Sequence, residues 1–465
     1  MVPAGIWRGA VALALGVVVF SFFASPARAD EGAAVDQIVQ ILRDKGLIDQ
    51  QTGDEIIAKQ AQSEAKQAAI AKTATPPVGQ AAVPGLFEGF IFSGDLRLRD
   101  EQFWYGSALG QDGANDNNRF RYRVRVGFTK DVSSWATVGV RMVTDTTDYR
   151  STNVSAGETS NFSYDSIFFD RAYVQFKLPD PGDIGLQTSI WAGKMQNPFI
   201  WKWGLDRILW DEDITPEGGA ITMAYVPVEN VKLFLNTGYF IELQNAAHTD
   251  PRVWGIQTGG SVKLPGAVEV GARVSYYNWL ALANDANSTG HTGFFAASEA
   301  LGNLPTAFDP DMRLIESSGY VSFQAISGWP ITFWGTWVQN LAANAGVVSG
   351  VRVGANDQAY GFGTEVGDAK NWFKVGAAWT HVEANAVPAL YTDSDMFDGF
   401  TNREGWALYG AREITPSIEA RITLWDKEPL KTTDSGAGGG PFNISPAVDR
   451  QADRRRLQAD LNFKF

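Results

Sequence analysis

The chain has 465 residues, with 39 basic against 52 acidic side chains and no cysteine. Its length and its composition, 45% apolar and 20% charged, exclude a collagen-like, disordered or disulfide-stapled chain. The net charge of −13 argues against a nucleic-acid partner, because no excess positive charge is present to meet phosphates. The missing cysteines exclude thiolate chemistry and cysteine-based zinc sites.

The first residues have the pattern of an export signal. Arg8 precedes an apolar run from Gly9 to Phe23, and Ala27-Arg28-Ala29 has the small-residue pattern of a cleavage site. The sequence therefore predicts a signal peptide at residues 1–29, with an uncleaved N-terminal anchor as the alternative. No later segment approaches twenty consecutive apolar residues, which argues against helical membrane spans.

Residues 30–72 carry a helical pattern. Apolar residues recur at helical spacing in the first part, at Val35, Ile38, Ile41 and Leu42. Thr52 and Glu55 match a capping box that would begin a second helix. We expect a periplasmic helical hairpin or an oligomerising coiled coil, while a plug in a lumen or a contact with the cell wall stays open. Three prolines make residues 73–85 a linker.

From residue 86 the apolar period changes to two. Along Arg119–Phe128, arginines alternate with apolar and aromatic residues, so the two sets point to opposite faces of one strand. In a soluble sandwich the apolar face would form the core. In a membrane barrel it would face lipid, and the arginines would line a wet lumen. One strand does not decide between these two folds.

The arrangement of the remaining strands favours the barrel. The alternation predicts sixteen strands, near 90–103, 118–130, 134–146, 167–179, 186–197, 219–227, 230–242, 252–264, 267–280, 313–327, 329–342, 357–367, 370–384, 404–414, 417–427 and 453–465. Short and long connections alternate between them, as in barrels with short periplasmic turns and long extracellular loops. The prediction for residues 86–465 is an all-β, transmembrane, antiparallel up-and-down β-barrel of about sixteen strands, preceded by the short helical segment.

Several motifs together resemble a known family. The signal peptide, the Val35–Leu42 helix, the Gly94–Arg99 and Asn118–Arg125 segments and the terminal aromatic are similar to those of the putative-porin family of Gram-negative bacteria. The resemblance implies a channel in the bacterial outer membrane, a homotrimer among outer-membrane lipid and lipopolysaccharide. It also implies that Phe465 acts as the signal for the barrel-assembly machinery. The N-terminal segment would then lie in the periplasm.

The candidate pore-lining residues are basic and lie on the first strands and the last one. They are Arg97, Arg99, Arg119, Arg121, Arg123, Arg125, Arg141 and Arg456. Such close like charges repel unless acidic groups compensate them. Carboxylates could come from the third long loop, whose candidate constriction residues are Trp201, Trp203, Asp206, Trp210, Asp211, Glu212, Asp213 and Glu217. The resemblance implies that this loop folds into the barrel. Alternatively, the loop lies outside, and the arginines pair with Asp95 and Asp100.

The sign of ion selectivity stays open in the sequence. The arginines favour anions, with phosphate or sulfate capture as one hypothesis, while the acidic loop favours cations. Four tryptophans on the later strands could stack sugars, although girdles at the lipid interfaces are the commoner role; these are Trp334, Trp337, Trp372 and Trp379. Three aspartates of the seventh long loop, Asp393, Asp395 and Asp398, are expected to lie in solvent or to bind divalent cations.

The sequence favours diffusion over catalysis. Only His248, His291 and His381 could act as histidine bases, and none has a nucleophile and an acid arranged near it. We therefore predict no catalytic residues, no metal site and no cofactor, and a water-filled channel for ions and small hydrophilic solutes. The alternatives are a porin selective for anions or sugars, and a structural or adhesive barrel with no open pore.

Overall fold

The structure, a computed structural model, describes residues 87–105, 117–144, 150–157, 164–182, 184–201, 204–244, 249–282, 302–304, 312–326, 329–348, 350–430 and 454–465. The predicted signal peptide, helical segment and linker lie outside these residues. Contacts divide the chain into two compact units, residues 93–464 and residues 1–92 with Phe465. In the described part of the smaller unit, the rings of Phe87, Phe90 and Phe92 pack together.

Strands dominate the described residues, since alternating, β-branched and aromatic residues suit a pleated sheet. They are β1 (Phe90–Tyr105), β2 (Asn117–Ser133), β3 (Ala136–Thr144), β4 (Val154–Ser155), β5 (Ile167–Leu178), β6 (Leu186–Lys194), β7 (Glu217–Val228), β8 (Val231–Ile241), β9 (Arg252–Leu264), β10 (Val268–Leu280), β11 (Met312–Ile326), β12 (Trp329–Asn340), β13 (Gly346–Val348), β14 (Val351–Val353), β15 (Gln358–Gly367), β16 (Lys374–Val382), β17 (Arg403–Thr415), β18 (Ile418–Pro429) and β19 (Arg454–Lys464). Each of the sixteen predicted strands is present within a few residues of its predicted bounds.

Among the described residues, sixteen of these strands form one closed antiparallel barrel. Each wall strand pairs with its neighbour, and β19 pairs with β1 over Asp95–Tyr105, which closes the ring. The other three strands are short. β4 pairs with β2 beyond the end of β3, and β13 and β14 form a separate hairpin. The predicted fold class is therefore confirmed for the barrel.

Turn length alternates around the ring as predicted. Short connections follow β2, β5, β7, β9, β11, β15 and β17, and the connections between these are longer. In an up-and-down barrel this alternation puts all the short turns at one end and all the long loops at the other. The third long loop, residues 195–216, joins β6 to β7, and the seventh, residues 383–402, joins β16 to β17.

The two faces of the wall differ in chemistry. Large apolar side chains are exposed on the outside, for example Phe120, Val126, Leu233, Phe333, Phe362 and Leu408. The alternate residues of the wall strands point inward, and many of them are polar or charged, for example Arg121, Arg123, Gln257, Arg273, Thr336 and Arg456. An apolar outside around a polar inside is the pattern of a barrel that faces lipid.

A glycine pair shapes the wall where the third long loop leaves it. Gly193 on β6 lies opposite Gly218 on β7, and both have positive φ. A Cβ at Gly193 would lie 2.4 Å from the carbonyl oxygen of Ala172, and one at Gly218 would lie 2.2 Å from that of Tyr239. Only glycine allows the strands to approach this closely. Among the described residues, no helix has the length and apolar character needed to cross a membrane.

Candidate functional site

The predicted basic residues are brought together by ring closure. Arg97 and Arg99 lie on β1, Arg119 to Arg125 on β2, Arg141 on β3 and Arg456 on β19. Since β19 pairs with β1, Arg456 comes opposite Phe103, beside the charged residues of the first strand. These eight residues, Arg97, Arg99, Arg119, Arg121, Arg123, Arg125, Arg141 and Arg456, are called the arginine wall below.

A carboxylate that was not among the predicted site residues lies at the centre of this wall. Glu101 is fully buried and forms ion pairs with Arg119 and Arg456. The guanidinium nitrogens of Arg99 and Arg121 each lie 3.7 Å from its carboxylate oxygens. Four guanidinium groups therefore share this one carboxylate. The inward position of Glu101 could have been predicted from the sequence, because Glu101 continues the inward series that begins with Arg97 and Arg99.

Asp95 and Asp213 pair with the next arginines along β2. The Asp95 oxygens lie 2.9 Å from Arg123 and 2.7 Å from Arg125. Asp213, on the third long loop, lies 3.6 Å from Arg123 and 3.4 Å from Arg125. Both predicted sources of carboxylates, the wall and the loop, thus contribute here. Asp100 does not, because its described contact is a hydrogen bond from Gln102.

The remaining arginines of the wall have different partners. Arg141 forms a bidentate contact with Asp170, with its Nε 2.9 and 3.0 Å from the two oxygens. Arg99 also pairs with Asp460 of β19 at 2.6 Å. Arg97 instead donates from Nε to the amide oxygen of Asn462 at 3.0 Å.

The aromatic residues of the third long loop pack in a buried cluster. The Phe199 ring is fully buried and lies 5.0 Å from Tyr277 and 6.1 Å from Phe240. Trp210 is 3% exposed, and its ring lies 5.8 Å from Trp279. Because aromatic side chains bury large apolar areas, these contacts are a substantial anchor for the loop.

Polar contacts hold the same end of the loop. Arg273 on β10 and Gln257 on β9 both donate hydrogen bonds to the carbonyl oxygen of Phe199, at 2.9 and 2.8 Å. Arg273 also forms an ion pair with Glu316 at 2.8 Å, and both side chains are fully buried. Trp201 packs on Tyr320 at 5.5 Å. Sequence analysis missed Arg273 and Glu316, although both lie on the inward faces of their strands.

The other predicted constriction residues are dispersed. Glu212 is exposed, and Glu217 begins β7, where it pairs with Lys194 at 2.8 Å rather than with the arginine wall. Asp206 lies in a short 3₁₀ turn, Leu205–Ile208. Trp203 lies outside the described residues. The prediction that Glu217 belongs to the loop is therefore wrong, because strand pairing with β6 continues through this residue.

Two aspartates of the loop have opposite pKa shifts. Burial raises the pKa of Asp211 well above its usual value, and the nearby carboxylates of Asp393 and Asp213 raise it further. Burial also raises the pKa of Asp213, but Arg123 and Arg125 outweigh it, so the net shift is downward. Asp213 is therefore the charged partner of the arginine wall. Asp211 instead accepts the backbone N–H groups of Asp213 and Ser394.

The expectation that the aspartates of the seventh long loop lie in solvent is wrong. Asp395 lies 2.8 Å from both Arg99 and Arg456. Asp398 lies 3.1 Å from Arg456. Asp393 is buried and lies 2.8 Å from Arg207 of the third long loop. These carboxylates are therefore partners of the basic cluster, and ring closure with loop packing brings them there from distant parts of the chain.

The four candidate stacking tryptophans divide by location. Trp334 is buried on the inward face of β12 and packs with Tyr320. The other three lie elsewhere. Trp379 packs with outward-facing Phe362, Trp337 lies opposite outward-facing Tyr360, and Trp372 packs with Trp329 beside a short turn. Only Trp334 is therefore placed to meet a solute, and the other three match interface girdles.

Two cavities lie beside these groups. One of about 260 Å³ is lined by Trp334, Glu365, Lys374, Tyr409 and neighbouring residues. A second, of about 140 Å³, is lined by Arg97, Arg123, Asp213, Asp395 and other residues of the arginine wall. Both cavities are lined by Arg207, Glu212, Arg421, Thr423 and Trp425. These shared residues make the two cavities neighbours along the inside of the barrel.

Residues 107–300 match the sequence model of the family described as putative porin, which confirms the resemblance drawn from the sequence. No curated protein sequence matches the chain.

Solved structures with similar coordinates include OprB of Pseudomonas putida, at 12% identity and a TM-score of 0.49, covering 82% of this chain and 95% of that one. An engineered triple mutant of the Rhodopseudomonas blastica porin has 9% identity and a TM-score of 0.40, with coverages of 81% and 100%. Salmonella typhi OmpF, in a complex with daunomycin, has 10% identity and a TM-score of 0.44, with coverages of 81% and 98%.

Proposed function

We propose that this barrel, which matches the putative porin family over residues 107–300, is a porin of the bacterial outer membrane. It forms a water-filled channel for passive diffusion of ions and small hydrophilic solutes. The apolar outer surface faces outer-membrane lipid and lipopolysaccharide, and the charged inner surface faces water. Diffusion through such a channel requires no catalytic group and no cofactor. A homotrimer assembled by the barrel-assembly machinery, with Phe465 as its signal, stays a prediction.

The third long loop narrows this channel in our proposal. The observation that carries it is the contact of Asp213 with Arg123 and Arg125, which links the loop to the arginine wall. The packing of Phe199 and Trp210 supports the same placement from the other end of the loop. Carboxylates on the loop and guanidinium groups on the wall would create a transverse field across the remaining opening. Such a field orients polar solutes as they pass.

Conductance in planar bilayers tests the channel and the constriction together. Deletion of residues 211–213 should raise single-channel conductance, because it removes the loop segment that contacts the wall. Asp213→Asn should change conductance or selectivity without a deletion. Asp131→Asn is the matched control, because its exposed carboxylate pairs with Lys177 away from the loop. Unchanged conductance in both loop variants would contradict the constriction, and a silent wild-type protein would favour a structural or adhesive barrel.

The reversal potential in a salt gradient tests the role of the arginine wall. Arg121→Ala and Arg123→Ala each remove one positive charge from the inner surface, so both should shift selectivity toward cations. A reversal potential equal to that of the wild type in both variants would show that the arginine wall does not set selectivity.

A further inference from the structure

We propose that Arg97 and Arg421 form a binding site for small oxyanions inside the barrel. The two residues lie on either side of β19, where Arg97 is opposite Asn462 and Arg421 is opposite Asp460. The site deepens the proposed function, since it names the class of solute that the constriction would retain, and it rests on that function for its physiological role. Binding itself is measurable without conduction.

The first argument is that the other seven residues of the arginine wall already have carboxylate partners within 4 Å. The acids that pair with these arginines are Glu101, Asp95, Asp170, Asp213, Asp395, Asp398 and Asp460. Arg207 likewise pairs with Asp393. A carboxylate within ion-pair distance weakens the attraction of an arginine for a dissolved anion, because the two opposite charges offset each other.

Arg97 and Arg421 differ from this group. Arg97 donates from Nε to Asn462, a neutral acceptor. Arg421 donates from Nε to the Thr423 hydroxyl at 3.4 Å, and its guanidinium carbon lies 5.1 Å from the Tyr409 ring. Among the described residues, neither side chain has a carboxylate within ion-pair distance. Both therefore keep terminal guanidinium N–H groups available to an anion.

The second argument is the cavity that the two arginines share. Both line the cavity of about 140 Å³, and a water molecule needs only about 10–15 Å³ of such space. Small oxyanions can therefore enter with part of their hydration. Strands two positions apart in a sheet are roughly 10 Å apart, a distance that two arginine side chains can bridge through a bound ion.

Among the described residues, no acid that lines this cavity forms an ion pair with Arg97 or Arg421. Asp213, Asp393, Asp395 and Asp460 have the arginine partners described above, and Glu419 lies 3.9 Å from Lys464. Asp211 accepts two backbone N–H groups. Glu212, also on the third long loop, likewise has no basic partner among the described residues. Burial raises the pKa of Asp211 and so favours its neutral form, whereas Glu212 is exposed. Removal of the Glu212 charge should therefore strengthen anion binding.

The chemistry of the guanidinium group selects oxyanions over halides. Its planar fork presents parallel N–H donors that match two oxygens of a carboxylate or a phosphate, whereas chloride is a single point acceptor. Arg421 also lines the larger cavity of about 260 Å³. An anion bound at Arg421 would therefore lie at the junction of the two cavities, where the loop approaches the wall.

Isothermal titration of the full chain in detergent tests the site. Potassium phosphate, potassium acetate and potassium chloride are compared at matched ionic strength, so that phosphate and carboxylate recognition are measured separately from screening. We expect wild-type protein to bind phosphate or acetate in preference to chloride. Arg97→Gln and Arg421→Gln should each weaken oxyanion binding by about tenfold, the effect of losing a charge-assisted hydrogen bond. Glu212→Gln should strengthen it.

Lys177→Gln is the matched control, because it also removes one positive charge but does not line either cavity. It should leave binding unchanged. Far-UV circular dichroism of each variant establishes that the barrel is folded. Equal binding of the three anions, or losses no larger than that of Lys177→Gln, would overturn the site.

A bilayer experiment separates this site from the proposed function. If the wild type conducts and binds no oxyanion, the channel stands and the site is wrong. If it binds oxyanion but does not conduct, the site stands and the proposed function is wrong. If both hold, the current carried by phosphate should saturate with concentration in the wild type and become more linear in the double variant Arg97→Gln/Arg421→Gln.

Discussion

The inner surface of this barrel has two contrasting regions built on the same period-two pattern. On β1, β2, β3 and β19, inward positions carry arginines that form ion pairs with acids from three parts of the chain. On β8 to β12, they include Phe240, Val253, Tyr277 and Trp279, which pack with the third long loop. The alternation is identical in both regions, so the identity of the inward residues alone sets the chemistry of each.

This difference shows how the third long loop can be held in place by one set of contacts while another set responds to changes in ionisation. Contacts of the loop with the aromatic region depend on buried apolar area, which is insensitive to pH and salt over ordinary ranges. Its contacts with the arginine wall are charge-assisted, so they are directional and respond to ionisation. We therefore expect changes in the aromatic region to release the loop and changes at the wall to alter selectivity. The following predictions test that division, from the largest effect to the smallest.

Truncation of the buried aromatic anchor should have the largest effect. Trp210→Ala removes a ring that packs on Phe199, Trp279 and Tyr391. We expect a loss of about 3–5 kcal/mol of packing free energy, as for other buried aromatic truncations. Hydrogen exchange over residues 205–216 should accelerate, and single-channel conductance should rise. Leu408→Ala, on the exposed outer face, is the control and should leave both measurements unchanged.

Removal of one partner from the buried ion pair should have a comparable effect. Arg273→Leu leaves Glu316 buried without its cation and removes a donor to the Phe199 carbonyl, at a cost of about 3–5 kcal/mol. The double variant Arg273→Leu/Glu316→Leu should recover most of this loss, because no uncompensated charge remains. Denaturant unfolding in detergent measures both. A double variant as unstable as the single one would show that the pair contributes more than mutual compensation.

Neutralisation of Asp395 should have an intermediate effect on the seventh long loop. Burial raises the pKa of Asp395, but Arg99 and Arg456 outweigh it and hold the pKa well below its usual range. Its stabilising contribution is therefore present above about pH 4, the ordinary aspartate value, and is lost as pH falls through the lowered value. Asp395→Asn should cost about 1.5–3 kcal/mol at pH 7.

Denaturant unfolding at several pH values measures the Asp395 effect, with Glu404→Gln as control. Glu404 pairs with His381 on neighbouring strands, away from the arginine wall. The difference between Asp395→Asn and wild type should shrink in strong acid. A difference that is independent of pH would contradict an electrostatic role for Asp395.

The smallest effect should have the opposite sign. Burial and the nearby Asp393 raise the pKa of Asp211, so folding favours its neutral form. The stability that the neutral form contributes is complete below about pH 4 and is lost as pH rises through the raised value. The two backbone N–H groups contact different carboxylate oxygens of Asp211, so Asp211→Asn removes the buried charge but keeps an acceptor for only one of them. The stability of the variant relative to wild type should therefore be higher at pH 7 than at pH 3, with a small difference at either pH. A relative stability that falls between pH 3 and pH 7 would show that Asp211 is needed as a carboxylate.

Much of the candidate site followed from local pattern. The series Arg119, Arg121, Arg123 and Arg125 has one face because side chains alternate on any strand, whatever its neighbours. Sequence analysis also named Asp213 among the possible partners. Glu101 was not predicted, although the same rule points it inward, because alternation gives the face of a residue but not its partners, which here come from β2 and β19. Sequence analysis assigned Asp393, Asp395 and Asp398 to solvent, since an acidic loop between two strands has no local feature that indicates a partner.

The sequence by itself determined the strand number, the alternation of short turns with long loops, and the placement of arginines on one face. Each of these follows from backbone geometry over a few residues, so no distant contact was needed to predict it. Only the tertiary structure decided that Asp395 meets Arg99 and Arg456, and that Arg97 and Arg421 form no ion pair with an acid of the described residues. Those pairings depend on the closure of β19 against β1 and on how two loops pack, and long-range contacts of this kind leave no periodic trace in the sequence.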